Sequence, residues 1–246
     1  MLKYHIPNFK KKQMNTIKKK CLLENIKLID LNLCFQSFGN VSLKINKDSF
    51  VIKPSGINLN KVDYRDFPVI NINNGQVQNG KLKPSSDVNT HLLLYKKFQS
   101  ISSIAHTHSK YATIWAQSKK EIPIFGSTHA DYWNTPIPIT HIMSKKEIEL
   151  NYELNTGIKI VELMKNKKLN YMYCPGVLVA NHGPFTWGVN HENAVKNAEI
   201  LEYIAELAFH TINLNPKSSI KSEMVKKHFN RKHGKNSYYG QNKNIT

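Results

Sequence analysis

The chain has 246 residues and a formal net charge of +18. This length suits one domain with a sizeable core, and no apolar run approaches the roughly 18–20 residues of a membrane span, so we expect no membrane association. Cys21, Cys34 and Cys174 are scattered without CxxC spacing. They therefore indicate neither a disulfide framework nor a thiolate metal site, and they favour a reducing cytoplasm.

The positive charge is carried almost entirely by lysine and is concentrated near the two ends of the chain. Strong basicity is typical of nucleic-acid-binding proteins, but no zinc-finger, RNP or helix-turn-helix motif accompanies it here. The joint excess of Asn, Ile and Lys is also what an AT-rich genome produces through its codons. We therefore expect no nucleic-acid partner, and binding through the basic ends is kept as an alternative.

The hydrophobic pattern predicts a mixture of helices and strands along the chain. Helices are predicted at 14–33, 88–98, 110–118, 144–167 and 191–213, with Asp87 as the cap of the second. Strands are predicted at 41–46, 49–53, 68–72 and 76–78, and buried strands at 101–105 and 176–180. The mixture lacks strict βαβ alternation, which indicates an α/β layered fold with substantial antiparallel pairing.

Three histidines follow the two buried strands. His106 and His108 stand at i and i+2, which places them on one side of an extended strand, and His182 follows the second strand before a Gly-Pro turn. Three imidazoles leave a fourth coordination position open, as in catalytic zinc sites. An isolated His-x-His pair is more often a surface or core pair, but the third histidine favours a metal. His129 is a weaker candidate ligand, and Asp131 is a candidate acid or base, or a helix cap.

Three loops upstream of the histidines are rich in small polar residues. They are Gly39–Ser42, Lys53–Gly56 and Lys83–Asp87. Backbone N–H groups, hydroxyls and an ammonium group on tight turns can share the charge of a phosphate dianion. Each loop by itself is typical of an ordinary turn. Their joint occurrence makes a phosphate site and three structural turns equally good readings.

Nine short motifs together resemble the class II aldolase/epimerase family and, within it, the L-ribulose-5-phosphate 4-epimerases. They include GNVS at 39–42, VIKPSG at 51–56, KPSSD at 83–87, HTHS at 106–109, THADY at 128–132, HGPFTWG at 182–188 and RKHGKNSYYGQ at 231–241. SSD, THADY and the YYGQ tail separate the epimerases from their aldolase relatives. The resemblance implies a class II aldolase-like fold with a central, mainly antiparallel sheet flanked by helices. It implies one domain at 14–241, with extensions at 1–13 and 242–246.

The resemblance also implies the site. It places one zinc ion per subunit on His106, His108 and His182, with Asp87 at the metal, and an acid/base pair on Asp131 and Tyr239. The implied phosphate-binding residues are Gly39, Asn40, Lys53, Ser55, Gly56, Ser85 and Ser86. It implies a homotetramer with active sites between subunits, in which Tyr239 reaches the site of a neighbouring subunit. By composition alone, however, residues 230–246 are a solvated basic end that is predicted to be disordered.

The implied reaction interconverts L-ribulose 5-phosphate and D-xylulose 5-phosphate. Carbon 4 of a ketose phosphate has no acidic proton, so its inversion requires retro-aldol cleavage between carbons 3 and 4 and re-formation of that bond from the other face of the aldehyde. A class II sugar-phosphate aldolase is the nearest alternative, although aldolases carry Glu at the position of Asp87. A non-catalytic binding module is a distant alternative, since all three histidines are present. The pathway, such as L-arabinose catabolism, is left open.

Overall fold

Seven strands form one antiparallel sheet in the computed structural model, which describes residues 6–235 and 237–240. The strands are β1 (Asn40–Asn46), β2 (Ser49–Ile52), β3 (Val69–Asn71), β4 (Val77–Asn79), β5 (Ser103–His106), β6 (Gly176–Val179) and β7 (Gly183–Gly188). Their order is β4-β3-β2-β1-β5-β7-β6, and every neighbouring pair is antiparallel. This sheet confirms the predicted central antiparallel layer.

Helices cover both faces of the sheet. They are α1 (Ile6–Asp30), α2 (Val88–Lys97), α3 (Lys110–Ser118), α4 (Ser127–Ala130), α5 (Lys145–Glu149), α6 (Tyr152–Asn166), α7 (Asn193–Leu214) and α8 (Ser222–His233). Two apolar clusters result, one between the sheet and α1 and the other between the sheet and α2, α3 and α6, and α7 contributes to both. The predicted α/β layered fold is therefore confirmed.

The side chains of strand β1 point alternately to the two faces of the sheet. Val41 and Leu43 are fully buried in the cluster beneath α1, whereas Ser42 between them points to the opposite face. There its hydroxyl meets Nδ1 of His91 at 2.7 Å and the hydroxyl of Tyr95 at 3.0 Å. Alternation with a period of two thus places a polar network under α2, on the face where the site forms.

The prediction of a single helix at 144–167 is wrong. The segment forms α5 and α6, separated at Leu150 and Asn151, and Asn151 has φ +118°. A capping box between Ser144 and Glu147 starts α5, but a positive φ cannot continue a right-handed helix. The break gives α6 its own direction and its own first residue, Tyr152.

Strand β7 was not predicted, because only a turn was expected after residue 180. All six of its residues are buried between β5 and β6. A central strand that is buried on both faces lacks polar alternation, and its Gly183-Pro184 start looks like a turn. Proline is tolerated near the first residue of a strand, where it costs little pairing.

The predicted boundaries of the terminal extensions stay predictions. Helix α1 runs without interruption from Ile6, across the proposed boundary at residue 13, and the predicted extension 242–246 lies outside the described residues. Within the described part of the chain, no helix combines the length and the apolar character needed to cross a membrane.

Candidate metal and phosphate site

The three predicted metal ligands lie together at one end of the central strands. His106 is the last residue of β5 and is paired with Asn40 of β1 and Phe185 of β7. His108 follows two residues later, and Nε2 of His106 lies 3.0 Å from Nε2 of His108. His182 lies in the tight turn between β6 and β7 rather than on a strand. One ligand atom from each histidine lies within 4.8 Å of the other two.

Hydrogen bonding leaves nitrogen lone pairs free for a metal. Nδ1 of His106 donates to the carbonyl of Pro184 at 3.0 Å, because a carbonyl oxygen can only accept, so Nε2 carries the lone pair. Nδ1 of His182 is buried without a hydrogen-bond partner among the described residues. An orphaned nitrogen next to a fixed tautomer fits a divalent metal bound by three imidazoles.

Burial also favours the neutral form that a metal requires. It lowers the pKa of all three imidazoles, and the adjacent His108 lowers the pKa of His106 further. The His106 ring stacks on Phe185 with the ring centroids 4.2 Å apart. Ring stacking and the bond to Pro184 hold this imidazole in one orientation.

The three polar loops converge beside the histidines. The Lys53 ammonium group donates to the carbonyls of Ser37 (2.7 Å) and Gly39 (3.1 Å). Backbone bonds from Ser55 to Lys83 and from Ser85 to Lys53 join the other two loops. The buried candidates for phosphate binding are Asn40, Lys53 and Ser85, and the exposed ones are Ser55, Gly56 and Ser86. Tertiary structure thus brings together segments that the sequence separates by 30 residues.

Gly39 is required where its loop approaches β5. Its φ is +82°, and a Cβ atom there would lie 2.7 Å from the carbonyl oxygen of His106. Both the left-handed backbone and the close approach exclude a side chain. The loop therefore reaches the histidines only because this residue is glycine.

Asp87 connects two of the polar loops and does not belong to the group of ligand atoms. Its carboxylate accepts a hydrogen bond of 2.7 Å from the Asn40 side chain. Asp87 is the N-cap residue of α2, as predicted, but its side chain makes no capping bond. Its charge acts to raise the pKa of His108 and His182. Direct ligation by Asp87 stays a prediction.

Asp131 lies at the end of α4, under α8. Arg231 donates to both carboxylate oxygens (2.9 and 2.6 Å), and His228 donates to one of them at 3.1 Å. The Lys232 ammonium group lies 3.4 Å away. Burial by itself raises the pKa of Asp131, but the bonds from Arg231 and His228 and the charge of Lys232 bring that pKa below its ordinary value.

Tyr239 belongs to the same cluster. Its ring lies 4.7 Å from the guanidinium carbon of Arg231 and 4.5 Å from the ammonium nitrogen of Lys232, and its backbone N–H donates to the carbonyl of Arg231. The disorder predicted from composition is wrong for 230–235 and 237–240, while 236 and 241–246 lie outside the described residues. No hydrogen bond or ring contact among the described residues joins this cluster to the three histidines.

Sequence reasoning missed His91 and Tyr152 and overweighted His129. His91 is completely buried, one helical turn after Asp87, a spacing that could have revealed it. The Tyr152 ring lies 5.7 Å from that of His182, and no local pattern indicates it, because its position depends on the break at Asn151. His129 donates to the carbonyl of Thr135 and packs against Trp133, so it is a core residue.

The comparisons with known proteins agree with this geometry. Residues 24–209 match the sequence model of the class II aldolase and adducin N-terminal domain. The chain belongs to this family. It is 42% identical over 233 residues to UlaF of Mycoplasma pneumoniae, described as a probable L-ribulose-5-phosphate 4-epimerase, with 94% of this chain and 96% of UlaF covered. The predicted resemblance is thus confirmed, and it is a resemblance to an enzyme of the isomerase class.

Solved structures of the family share the fold. An L-fuculose 1-phosphate aldolase superposes with a TM-score of 0.72 at 25% identity, covering 87% of this chain and 94% of that one. The L-fuculose 1-phosphate aldolase from Glaciozyma antarctica gives a TM-score of 0.70 at 15% identity, covering 87% and 80%. The class II aldolase-like fold predicted from the motifs is therefore confirmed.

Proposed function

We propose that this chain is an L-ribulose-5-phosphate 4-epimerase that interconverts L-ribulose 5-phosphate and D-xylulose 5-phosphate. The observation that carries the proposal is the position of Asn40, which is bonded to Asp87 of another polar loop and is paired with His106 between β1 and β5. The proposed anion site and the proposed Lewis-acid site therefore lie side by side, so one sugar phosphate could occupy both. The resemblance to UlaF supports the same substrate pair.

The three histidines would hold one divalent metal per subunit, and we propose zinc because three imidazoles with an open position are typical of catalytic zinc. When bound, the metal would supply a Lewis acid that stabilises negative charge developing on oxygens of the substrate. Pro184 and Phe185 keep His106 in its ligand tautomer and orientation. The buried imidazoles stay neutral, so protons do not compete for the lone pairs.

The polar loops would hold the phosphate of the substrate. Lys53 brings positive charge and fixes the Gly39 loop, while Ser55 and Ser86 present exposed hydroxyls. When the bond between carbons 3 and 4 breaks, the phosphate stays on the aldehyde fragment. Retention by these loops would let that fragment rotate and expose its other face without leaving the site.

Asp131 and Tyr239 would transfer the protons of the two epimeric 4-hydroxyl groups. Since both groups lie on one cluster and neither contacts the histidines of its own chain, we propose that they reach the histidines of a neighbouring subunit together. This differs from the expectation in which Tyr239 alone crosses between subunits. Exposed apolar side chains on α7, namely Tyr203, Leu207 and Leu214, support assembly into the homotetramer.

We also propose a cytoplasmic location. All three cysteines are unpaired, and burial raises the pKa of Cys21, Cys34 and Cys174. Unreactive thiols without a disulfide partner suit a reducing compartment.

A class II sugar-phosphate aldolase is the second candidate, and the superposition on L-fuculose 1-phosphate aldolase favours it. The two functions differ in whether the aldehyde fragment is retained or released. Asp87 supports the epimerase, because its side chain is one methylene shorter than the Glu of the aldolases and one of its carboxylate oxygens is bonded to Asn40.

Both candidates are tested by NMR spectroscopy of the purified, metal-loaded protein with L-ribulose 5-phosphate. We expect D-xylulose 5-phosphate to accumulate to equilibrium without free glycolaldehyde phosphate. Release of glycolaldehyde phosphate and dihydroxyacetone instead would establish the aldolase. An unchanged substrate spectrum would reject both.

A further inference from the structure

Tyr152 stands beside the candidate metal site with an unused hydroxyl group. It is the first residue of α6, is half-buried, and its ring is tilted by 42° to that of His182 with the centroids 5.7 Å apart. Its backbone carbonyl accepts a bond from Thr156, but its phenol hydroxyl has no hydrogen-bond partner among the described residues. A phenol is protonated at neutral pH and can therefore donate.

Packing between α6 and α2 fixes the position of Tyr152. Gly157 lies against α2 so closely that a Cβ atom would come within 3.3 Å of Cα of Thr90. The Thr90 hydroxyl donates to the carbonyl of Glu153, the residue after Tyr152. Because Asp87 immediately precedes α2, this contact sets Tyr152 relative to both Asp87 and the histidines.

A second aromatic ring lies next to His108. Phe38 has its ring 5.6 Å from that of His108, and 52% of its surface is exposed. Phe38 and Tyr152 thus lie next to different histidines of the cluster. Phe38 can only exclude water, whereas Tyr152 can also donate a hydrogen bond. Among the described residues, no hydrogen bond joins Tyr152 to the Lys53–Gly56 or Lys83–Asp87 loop, so its donor is separate from those of the phosphate cradle.

We propose that the Tyr152 hydroxyl donates a hydrogen bond to an oxygen of the ketose half of the sugar phosphate, carbons 1 to 3, and so contributes to substrate specificity. The inference rests on the proposed epimerase function. The ketose half is the part of the substrate that the histidine site would hold, and Tyr152 packs on one of those histidines. Its donor complements the phosphate loops, which hold the other half.

Tyr152→Phe removes the hydroxyl and keeps the ring, and Tyr64→Phe, at a half-buried tyrosine between β2 and β3, is the matched control. Both are made in an Asp131→Asn background, so that calorimetry measures binding without turnover. We expect Tyr152→Phe to bind L-ribulose 5-phosphate about three- to tenfold more weakly, as for one lost neutral hydrogen bond. Affinity for inorganic phosphate, metal content and melting temperature should stay unchanged, and Tyr64→Phe should bind like its parent.

Gly157→Ala tests the positioning of Tyr152 without removing the phenol. Its methyl group would lie 3.1 Å from the Leu93 side chain and 3.3 Å from Cα of Thr90, so its neighbours have to give by a few tenths of an ångström. We expect a shift of α6 against α2, with weaker binding of L-ribulose 5-phosphate and unchanged affinity for inorganic phosphate. In the otherwise unmodified protein, Tyr152→Phe should lower kcat/KM by about the same three- to tenfold.

The outcomes separate this inference from the function on which it rests. If the unmodified protein does not epimerise L-ribulose 5-phosphate, the proposed function fails. If it does, and Tyr152→Phe binds the sugar phosphate as tightly as Tyr64→Phe, the role of Tyr152 is refuted. Loss of metal in Tyr152→Phe, or equal weakening of inorganic phosphate binding, would also refute it, since either shows a packing role.

Discussion

The histidine site and the Asp131 cluster differ in how their polar side-chain atoms are hydrogen-bonded. In the histidine site, buried ring nitrogens face one another, and Nδ1 of His182 is without a protein partner. In the Asp131 cluster, both carboxylate oxygens accept bonds from cationic groups of α8. Unpaired donor atoms are costly in a folded protein unless a ligand completes them. The comparison indicates a ligand site in the first region and a preset reactive group in the second.

The largest effect should come from the histidine site. His108→Asn removes one of three imidazoles, so we expect loss of the bound metal and of all measurable epimerisation, because no other described residue joins that ligand group. Metal analysis and the NMR assay test this. His141→Asn, at an exposed histidine, is the control and should keep both. Full activity in a metal-free His108→Asn protein would exclude a role for the metal.

Asp131→Asn should separate chemistry from metal binding. We expect turnover to fall by roughly 10²–10⁴-fold, the usual contribution of an acid/base group, while metal content and assembly stay unchanged. Asp63→Asn is the matched control, since Asp63 is an exposed carboxylate bonded by Arg65. Wild-type turnover in Asp131→Asn would move the proton transfer to another group, with His228 the first candidate.

Mixing of mutant subunits tests whether the two regions meet across subunits in the proposed tetramer. Subunits carrying His108→Asn have an intact Asp131 cluster, and subunits carrying Asp131→Asn have an intact histidine site. If one active site combines the two regions from different subunits, mixing these inactive proteins should restore part of the activity. Mixing Asp131→Asn with Tyr239→Phe should restore none, because both groups lie on one cluster. The reverse pattern would place Tyr239 and Asp131 in different halves of the site.

The smallest effect concerns pH. Arg231 helps to hold the pKa of Asp131 below its ordinary value, so Arg231→Gln should raise that pKa. The Asp131 carboxylate would then become protonated at a higher pH, and activity that depends on the ionised form would be lost earlier as pH falls. A pH–rate profile measures the shift of the acid limb. The control Arg65→Gln should leave the acid limb of the profile unchanged. An unshifted acid limb in Arg231→Gln would contradict the proposal that activity depends on ionised Asp131.

Residues close together in sequence account for the parts of the site that could be predicted. His106 and His108 stand two residues apart on a strand end, and the phosphate-type loops are recognisable because Gly, Pro and Ser have local backbone preferences. The break before Tyr152 was missed because it depends on one residue, Asn151, with positive φ. Strand β7 was missed because burial on both faces erases the alternation that reveals a strand.

The sequence by itself determined the kinds of chemistry available: three imidazoles for a metal, small polar loops for an anion, and a layered fold to carry them. Only the tertiary structure decided which groups meet. Sheet pairing brings Asn40 beside His106, α8 covers Asp131 from 100 residues away, and α6 brings Tyr152 to His182. The physical reason is that short-range backbone preferences are encoded locally, whereas these contacts depend on how distant elements bury their apolar faces against one another.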